Sequence, residues 1–153
     1  MSEFALKCLS DRCVGCAACV AACYDQNDLE PEKGDQPLRR LIQIESDDPA
    51  SPPISYVSSA CRHCLESPCL KVCPHAAIYR DERFGAVLID RDKCLGCGTC
   101  AQACPFEAPV LNRQGLMTKC DLCYERLQAG LKPACVKVCP YQALSYYFTA
   151  SEV

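Results

Sequence analysis

Residues 94–105 read CLGCGTCAQACP, and this stretch decides how the rest of the chain is interpreted. Its four cysteines follow one another at intervals of two, two and three intervening residues, and a proline comes directly after the last one. Three thiolates spaced in this way can surround one face of a metal cluster, because a tight loop points successive cysteines inward. The fourth cysteine lies further along, where a short helix usually leads away. The spacing therefore predicts a metal site with thiolate ligands.

Sixteen of the 17 cysteines fall into four such groups of four, and Cys8 lies outside them. Groups one and three have identical spacing, whereas group two contains a four-residue gap and group four an eleven-residue gap. Three groups end in Cys-Pro, and in group one Tyr24 stands in place of the proline. Proline donates no backbone hydrogen bond and directs the chain toward the next strand. In order, the groups are Cys13, Cys16, Cys19 and Cys23; Cys61, Cys64, Cys69 and Cys73; Cys94, Cys97, Cys100 and Cys104; and Cys120, Cys123, Cys135 and Cys139.

The composition of the 153 residues excludes several classes of protein. The apolar share of 50% includes cysteine, so we expect no conventional core, and bound metal must supply folding energy. No apolar stretch approaches 18 residues, which predicts no membrane span. A net charge of −3 and the absence of tryptophan argue against a nucleic-acid partner. The N-terminus lacks a secretory-signal layout, which predicts a reducing cytoplasm without disulfides, with export alongside a partner as the alternative.

Two kinds of metal site use closely spaced cysteines. Zinc ribbons take two Cys-x-x-Cys pairs per ion, but pairs do not explain a third and a fourth cysteine at fixed offsets, repeated four times. Groups one and three instead match the bacterial run C-x2-C-x2-C-x3-C that binds iron–sulfur clusters, in which the fourth cysteine ligates the other cluster of a pair. The pattern therefore favours iron–sulfur clusters over zinc.

From Cys13 to about Tyr147 the chain resembles the four-cluster, ferredoxin-like electron-transfer subunits of molybdenum and tungsten oxidoreductases, of the dimethyl sulfoxide reductase type. The two expanded gaps carry this resemblance, together with residues 117–126, which read MTKCDLCYER. The resemblance implies four 4Fe–4S clusters, because no group has lost a cysteine. Carried over by position, the ligand sets are Cys13, Cys16, Cys19 and Cys139; Cys120, Cys123, Cys135 and Cys23; Cys61, Cys64, Cys69 and Cys104; and Cys94, Cys97, Cys100 and Cys73. Cys8 is predicted to be a free thiol.

The expected fold is α+β, with two ferredoxin-like halves that each hold two clusters. The resemblance implies an inner half over residues 58–105 and an outer half formed by 1–57 and 106–153. Residues 24–57 are an insertion, interpreted either as a solvated cover of the outer clusters or as a docking surface. The residue pattern predicts one hairpin from 77–80 with 86–89 and a second from 110–111 with 116–117. It also predicts strands at 38–44 and 144–148. Short helices are predicted at 17–24 and at 121–129, and Gly130 ends the second of them.

No residue set indicates chemistry on a substrate, and Gly96-Cys97-Gly98 belongs to a cluster loop rather than to a dinucleotide fingerprint. The chain is therefore not expected to be an enzyme. The resemblance implies that it relays single electrons to or from a large molybdenum or tungsten pterin subunit, such as an aldehyde, formate or dimethyl sulfoxide oxidoreductase. A flavin subunit, a ferredoxin or a membrane anchor would be the further redox partner, and end-to-end assembly is conceivable. A free soluble polyferredoxin and a maturation accessory protein are the alternatives.

Several residues beside the cysteines have two interpretations. His63 could ligate iron, although a histidine among four well-spaced cysteines is usually a neighbour of the ligands or a surface residue. Arg62, Lys71, Lys119 and Lys137 flank ligands. They either raise cluster potentials, since a cation offsets the negative charge of bound thiolates, or are simply solvated.

Overall fold

The computed structural model describes residues 3–149, with side chains for 6–146. Within that part, short helices alternate with short strands, which confirms the α+β class. The helices are α1 Ala18–Gln26, α2 Pro68–Val72, α3 Thr99–Ala103, α4 Tyr124–Gln128 and α5 Ala134–Val138, with a 3-10 turn at Pro31–Lys33. The strands are β1 Glu3–Cys8, β2 Arg39–Glu45, β3 Ile54–Ala60, β4 Ile78–Arg80, β5 Val87–Ile89, β6 Val110–Leu111, β7 Met117–Thr118 and β8 Leu144–Thr149.

The strands described form four separate two-stranded antiparallel sheets. Strands β2 and β3, β4 and β5, and β6 and β7 are local hairpins. The fourth sheet joins the two ends of the chain, with Cys8 of β1 opposite Leu144 of β8. Small sheets of this kind position the loops between them rather than enclose a large core.

The helices pack in two pairs, α1 against α5 and α2 against α3. Apolar burial is divided among three small clusters, and two of them contain cysteine side chains as buried members. The largest surrounds Ile78, Val87 and Met117, together with the thiols of Cys69, Cys94 and Cys100. This distribution agrees with the expectation that aliphatic burial alone does not hold the fold.

Most predicted elements are present, with shifted ends. The predicted hairpin of β4 and β5 is present, and β4, β5 and β7 each begin one residue later than predicted. Beyond the paired residues of β6 and β7, Asn112 N–H donates to the Leu116 carbonyl at 2.8 Å and closes the turn. Helix α4 begins at Tyr124 rather than at 121, because Leu122 and Cys123 have left-handed backbones. Gly130, at φ 73°, follows its end as predicted.

The insertion contains β2 and the first part of β3, which form a hairpin rather than a single edge strand. Strand β2 pairs with β3 from Arg39 opposite Ala60 to Glu45 opposite Ile54, so the predicted boundary at residues 57 and 58 falls within β3. One face of the hairpin covers group one, where a Cβ on Gly15 would lie 2.8 Å from the Tyr56 ring. The exposed side chains of Ile42 and Ile44 keep the docking interpretation open.

Candidate iron–sulfur centre

All four cysteine groups have the same backbone turn. The residue before the second cysteine has a positive φ in every group: 74° at Gly15, 49° at His63, 69° at Gly96 and 63° at Leu122. Non-glycine residues rarely adopt this left-handed conformation, so its recurrence at equivalent positions reflects a common loop shape. The four cysteine groups therefore share a left-handed residue at the same position of their loops.

The fourth cysteine of each group receives a hydrogen bond from four residues further on. In the three Cys-Pro groups the donor is the backbone N–H of an alanine: Ala77 to Cys73 Sγ at 3.4 Å, Ala108 to Cys104 Sγ at 3.5 Å, and Ala143 to Cys139 Sγ at 3.3 Å. In group one the donor is a side chain, since Asn27 Nδ2 lies 3.6 Å from Cys23 Sγ. Such donors stabilise a thiolate ligand and influence cluster potential.

The structure brings cysteines of different groups together around three small cavities. Each cavity contains three cysteines of one group and the last cysteine of another. The first is lined by Cys13, Cys16, Cys19 and Cys139; the second by Cys94, Cys97, Cys100 and Cys73; and the third by Cys120, Cys123, Cys135 and Cys23.

The remaining predicted set surrounds Cys69. Burial raises the pKa of the Cys69 thiol, the Lys119 ammonium opposes that rise, and repulsion from Cys61 and Cys104 adds to it. The loop around Cys64 is held by its carbonyl, which accepts hydrogen bonds from Arg80 and from the Ser67 hydroxyl. Electrostatic repulsion thus links three thiols of this set, and hydrogen bonds hold the backbone carbonyl of the fourth residue.

The donor sets fit cubane clusters better than single ions. Between residues 3 and 149, no three histidine, cysteine, aspartate or glutamate side chains converge as the ligands of one metal ion do. A structural zinc site needs four ligands within about 2.3 Å of one point. Four thiols spread around a cavity instead suit a 4Fe–4S cluster, which uses cysteine ligands alone.

The comparisons with known proteins identify the family. A model of the 4Fe–4S dicluster domain matches residues 53–148, and a model of the 4Fe–4S binding domain matches residues 10–24. The chain belongs to the 4Fe–4S dicluster family. The resemblance inferred from the cysteine groups is therefore confirmed, as is the 4Fe–4S cluster as cofactor, and sixteen regularly spaced cysteines are enough for four clusters.

Relatives of this dicluster protein are parts of oxidoreductases. It is 41% identical over 146 residues to a chain of the anaerobic dimethyl sulfoxide reductase of Escherichia coli, covering 90% of this chain and 69% of that one. Identity is 44% over 140 residues to the thiosulfate reductase electron transfer subunit of Salmonella typhi, with coverages of 88% and 70%. Identity to a subunit of the Allochromatium vinosum sulfite dehydrogenase is 35% over 162 residues, which covers 94% of this chain and 68% of that subunit. The dicluster protein is thus an iron–sulfur electron-transfer protein of this family.

Electrostatic repulsion links buried thiols of different predicted sets in the dicluster protein. Burial raises the pKa of Cys135, and repulsion from Cys19 adds to the rise. Burial likewise raises the pKa of Cys120, and repulsion from Cys61 adds to that rise. At the other end, burial raises the pKa of Cys100 to about 11, with Cys69 adding to it. The terminal sets each contain an exposed cysteine, Cys16 in one and Cys97 in the other.

Among the residues whose side chains are described, two cations are buried near the cysteines of the dicluster protein, and only one of them, Lys119, flanks a cysteine in the sequence. Lys119 is 5% exposed, and its Nζ donates to the carbonyls of Val87 and Cys120. Arg39 is 1% exposed and was not singled out from the sequence. Nothing in the sequence distinguishes it from Arg40 beside it, which is only partly buried.

The other residues that flank cysteines of the dicluster protein differ in their surroundings: His63 is buried, whereas Arg62 and Lys71 contact other side chains away from the cysteines. Buried His63 accepts a hydrogen bond at Nδ1 from Val87 N–H at 2.9 Å, and burial beside Lys119 and Arg80 holds its pKa well below the usual value. His63 is therefore a neutral neighbour of the ligands. Arg62 instead lies 4.0 Å from the Phe106 ring centre, and exposed Lys71 pairs with Glu66.

Cys8 lies beside group one without lining any of the three cysteine cavities. Its Sγ accepts from Ser58 N–H at 3.4 Å. Burial raises its pKa, and the Ser58 bond partly opposes the rise. Its predicted status as a free thiol remains a prediction.

Across residues 3–149, no helix of the dicluster protein has the length and apolar character that crossing a membrane requires.

Proposed function

We propose that this chain relays single electrons through four 4Fe–4S clusters to or from a large subunit that holds a molybdenum or tungsten pterin. The mixed lining of the cysteine cavities is the observation that carries the proposal. Each of three cavities takes its fourth cysteine from another group, as the ferredoxin exchange of ligands requires. The ligands are the four sets of four cysteines given above, with Cys61, Cys64, Cys69 and Cys104 as the set supported by electrostatic proximity.

The exchange of ligands divides the chain into two halves with two clusters each. The inner half, residues 58–105, contains groups two and three, whose helices α2 and α3 pack together. The outer half combines residues 1–57 and 106–153, and its helices α1 and α5 pack together in the same way. Strand pairing of β1 with β8 supports an outer half built from both ends of the chain.

Each bound 4Fe–4S cluster can take up and release one electron, which is the chemistry the cofactor supplies. The clusters follow one another in the order of groups one, four, two and three. Three pairs of interacting thiols from neighbouring sets support this order: Cys19 with Cys135, Cys120 with Cys61, and Cys69 with Cys100. No cysteine of the two middle sets is fully exposed, and N–H donors stabilise ligand sulfurs such as those of Cys23 and Cys104. Electrons enter and leave near Cys16 and Cys97, the exposed cysteines of the terminal sets.

The chain itself is not an enzyme in this proposal. The names of its relatives, a chain of a reductase and an electron transfer subunit, support a role inside an oxidoreductase complex. A further redox partner would exchange electrons at the opposite end. Sixteen iron-binding thiols suit a reducing compartment, so we place the protein in the cytoplasm.

Anaerobic purification with metal analysis tests the cluster content. The proposal expects roughly 16 iron and 16 sulfide per chain, four of each for every cubane, with negligible zinc. Cys8→Ser should leave the iron content unchanged, because Cys8 belongs to no set. Stoichiometric zinc in native protein would overturn the cluster assignment.

Purification from the native host tests the complex. A large pterin-containing subunit should remain bound to the chain, and dithionite-reduced protein should pass electrons to it. A protein that is fully loaded with iron yet isolated alone would instead support a free soluble carrier.

A further inference from the structure

Arg39 is a buried cation without a carboxylate partner. Only 1% of the residue is exposed, and none of the described aspartates or glutamates forms an ion pair with it. A buried charge is strongly unfavourable unless other groups compensate it. The compensation must therefore come from something else in the surroundings of β2.

Cysteine side chains supply these surroundings. Arg39 lines the cavity formed by Cys23, Cys120, Cys123 and Cys135. Burial acts to lower the pKa of the guanidinium, but the combined charges of Cys135, Cys120, Cys19 and Cys23 hold it above its ordinary value. These cysteines belong to the predicted ligand sets of both outer clusters, so Arg39 lies between the two sites.

The two guanidinium nitrogens have different partners. Nη1 donates to Ser58 Oγ at 2.9 Å, and that hydroxyl lies 3.2 Å from Cys19 Sγ. Nη2 is buried and no described protein atom meets the geometry of an acceptor for it. Burial raises the pKa of the Cys135 thiol, and the Arg39 guanidinium opposes that rise. Nη2 is thus a buried donor without a described protein acceptor, on a side chain that lines the cysteine cavity.

We propose that Arg39 sets the reduction potential of the cluster held by Cys23, Cys120, Cys123 and Cys135, by placing a positive charge and the Nη2 donor against its sulfur atoms. This inference rests on the proposed function, which supplies the cluster. One added electron makes the cluster one unit more negative, and a guanidinium that stays protonated throughout favours that form. Arg39 therefore raises the potential, and no proton accompanies the electron.

The same side chain reaches the neighbouring site through Ser58. Because Ser58 Oγ accepts from Arg39, its own proton is free to point at Cys19, which as a thiolate ligand has no proton to offer. The insertion, whose strand β2 begins with Arg39, thus contributes a charged link between two clusters as well as a cover for group one.

Redox titration of the full-length protein, monitored by electron paramagnetic resonance, tests the inference. The relevant signal is the one lost in Cys120→Ala. In Arg39→Gln its midpoint potential should fall by about 59 mV or more, which corresponds to a tenfold change for a one-electron couple. Arg39→Lys keeps the charge but not the forked donor, so it should show a smaller fall. Arg40→Gln is the matched control, since Arg40 contacts Glu107 at the surface and should leave the potential unchanged.

The outcomes separate this inference from the proposed function. Missing iron in the unmodified protein would contradict the proposed function, whereas full iron with an unmoved potential in Arg39→Gln would overturn the role of Arg39. If Arg39→Gln loses iron, Arg39→Lys decides: a potential below that of the unmodified protein supports the role, and an equal potential overturns it. Equal shifts in Arg39→Gln and Arg40→Gln would also overturn it.

Discussion

Groups one and three have the same cysteine spacing and leave their loops in different ways. In group three, α3 ends at Ala103, Cys104 is extended, and Pro105 follows. In group one, α1 continues past Cys23 to Gln26, because Tyr24 can remain helical where a proline could not. The hydrogen bond to the fourth cysteine is preserved in both, from the Ala108 backbone in one group and from the Asn27 side chain in the other.

The comparison separates two determinants of the site. Cysteine spacing sets the loop that surrounds a cluster, and the residue after the fourth cysteine sets the direction in which the chain leaves. The longer exit from group one leads into the insertion, whose hairpin returns over the loop and places Tyr56 against Gly15. Group three is covered by the turn of the β6–β7 hairpin, where Gly115 meets Gly96.

The largest expected effect on iron content comes from substituting Gly96 of group three, compared with Gly15 of group one. A Cβ on Gly96 would lie 1.8 Å from the Gly115 carbonyl oxygen, whereas a Cβ on Gly15 would meet only the Tyr56 ring, which can rotate. Gly96→Ala should therefore lose roughly 4 iron per chain, one cubane, and Gly15→Ala should lose less. Gly98→Ala is the control, because its φ is 76° but nothing lies within 4 Å of the added methyl group. Equal iron loss in Gly98→Ala would show that backbone strain, and not the close contact, is responsible.

Exchanging the exit residues should give the next largest effect. Tyr24→Pro would interrupt α1 and cost about 3 kcal/mol of stability, as proline does inside a helix. Pro105→Tyr should cost much less, because Pro105 follows the end of α3. Anaerobic guanidinium unfolding, followed by the visible absorbance of the clusters, measures both. Similar midpoints for the two variants would contradict the role given to the exit residue.

The smallest effect concerns the side-chain donor of group one. Asn27 Nδ2 donates to the Cys23 carbonyl at 2.8 Å and contacts Cys23 Sγ, so Asn27→Leu should cost about 1 kcal/mol of stability. The potential of the cluster ligated by Cys23 should also fall slightly, since one donor to its sulfur is lost. Asn112→Leu, in the β6–β7 turn, removes an asparagine of similar exposure without touching a cysteine. A matching fall of potential in that variant would contradict the role of Asn27.

Sequence spacing predicts the parts of this molecule that local contacts determine. The β4–β5 hairpin follows from residues 77–89 alone, and Gly130 alone predicts that α4 ends just before it. Strand β1 could not be predicted in the same way, because it exists by pairing with β8 near the far end of the chain. Strand β3 was missed for a local reason, since Ser55, Ser58 and Ser59 remove the apolar alternation that identifies a strand.

The sequence predicts candidate ligands for the site but not their environment. Cysteine types and offsets, with the family resemblance, supply all sixteen candidate ligands. Nothing in the sequence marks Arg39 as buried, because arginine is rarely buried without a partner. Its burial depends on thiols from groups that are distant in sequence. Tertiary electrostatics of this kind have no signature in residue spacing.

The crossed ligand sets are the central claim, and redox-titrated electron paramagnetic resonance of cysteine variants tests them most directly. Cys139→Ala should perturb the same cluster signal as Cys13→Ala, because Cys139 lines the cavity of group one. It should leave the signal altered by Cys120→Ala unchanged apart from small coupling shifts. If Cys139→Ala instead removes the same signal as Cys120→Ala, each group holds its own cluster, and the two halves described above are wrong.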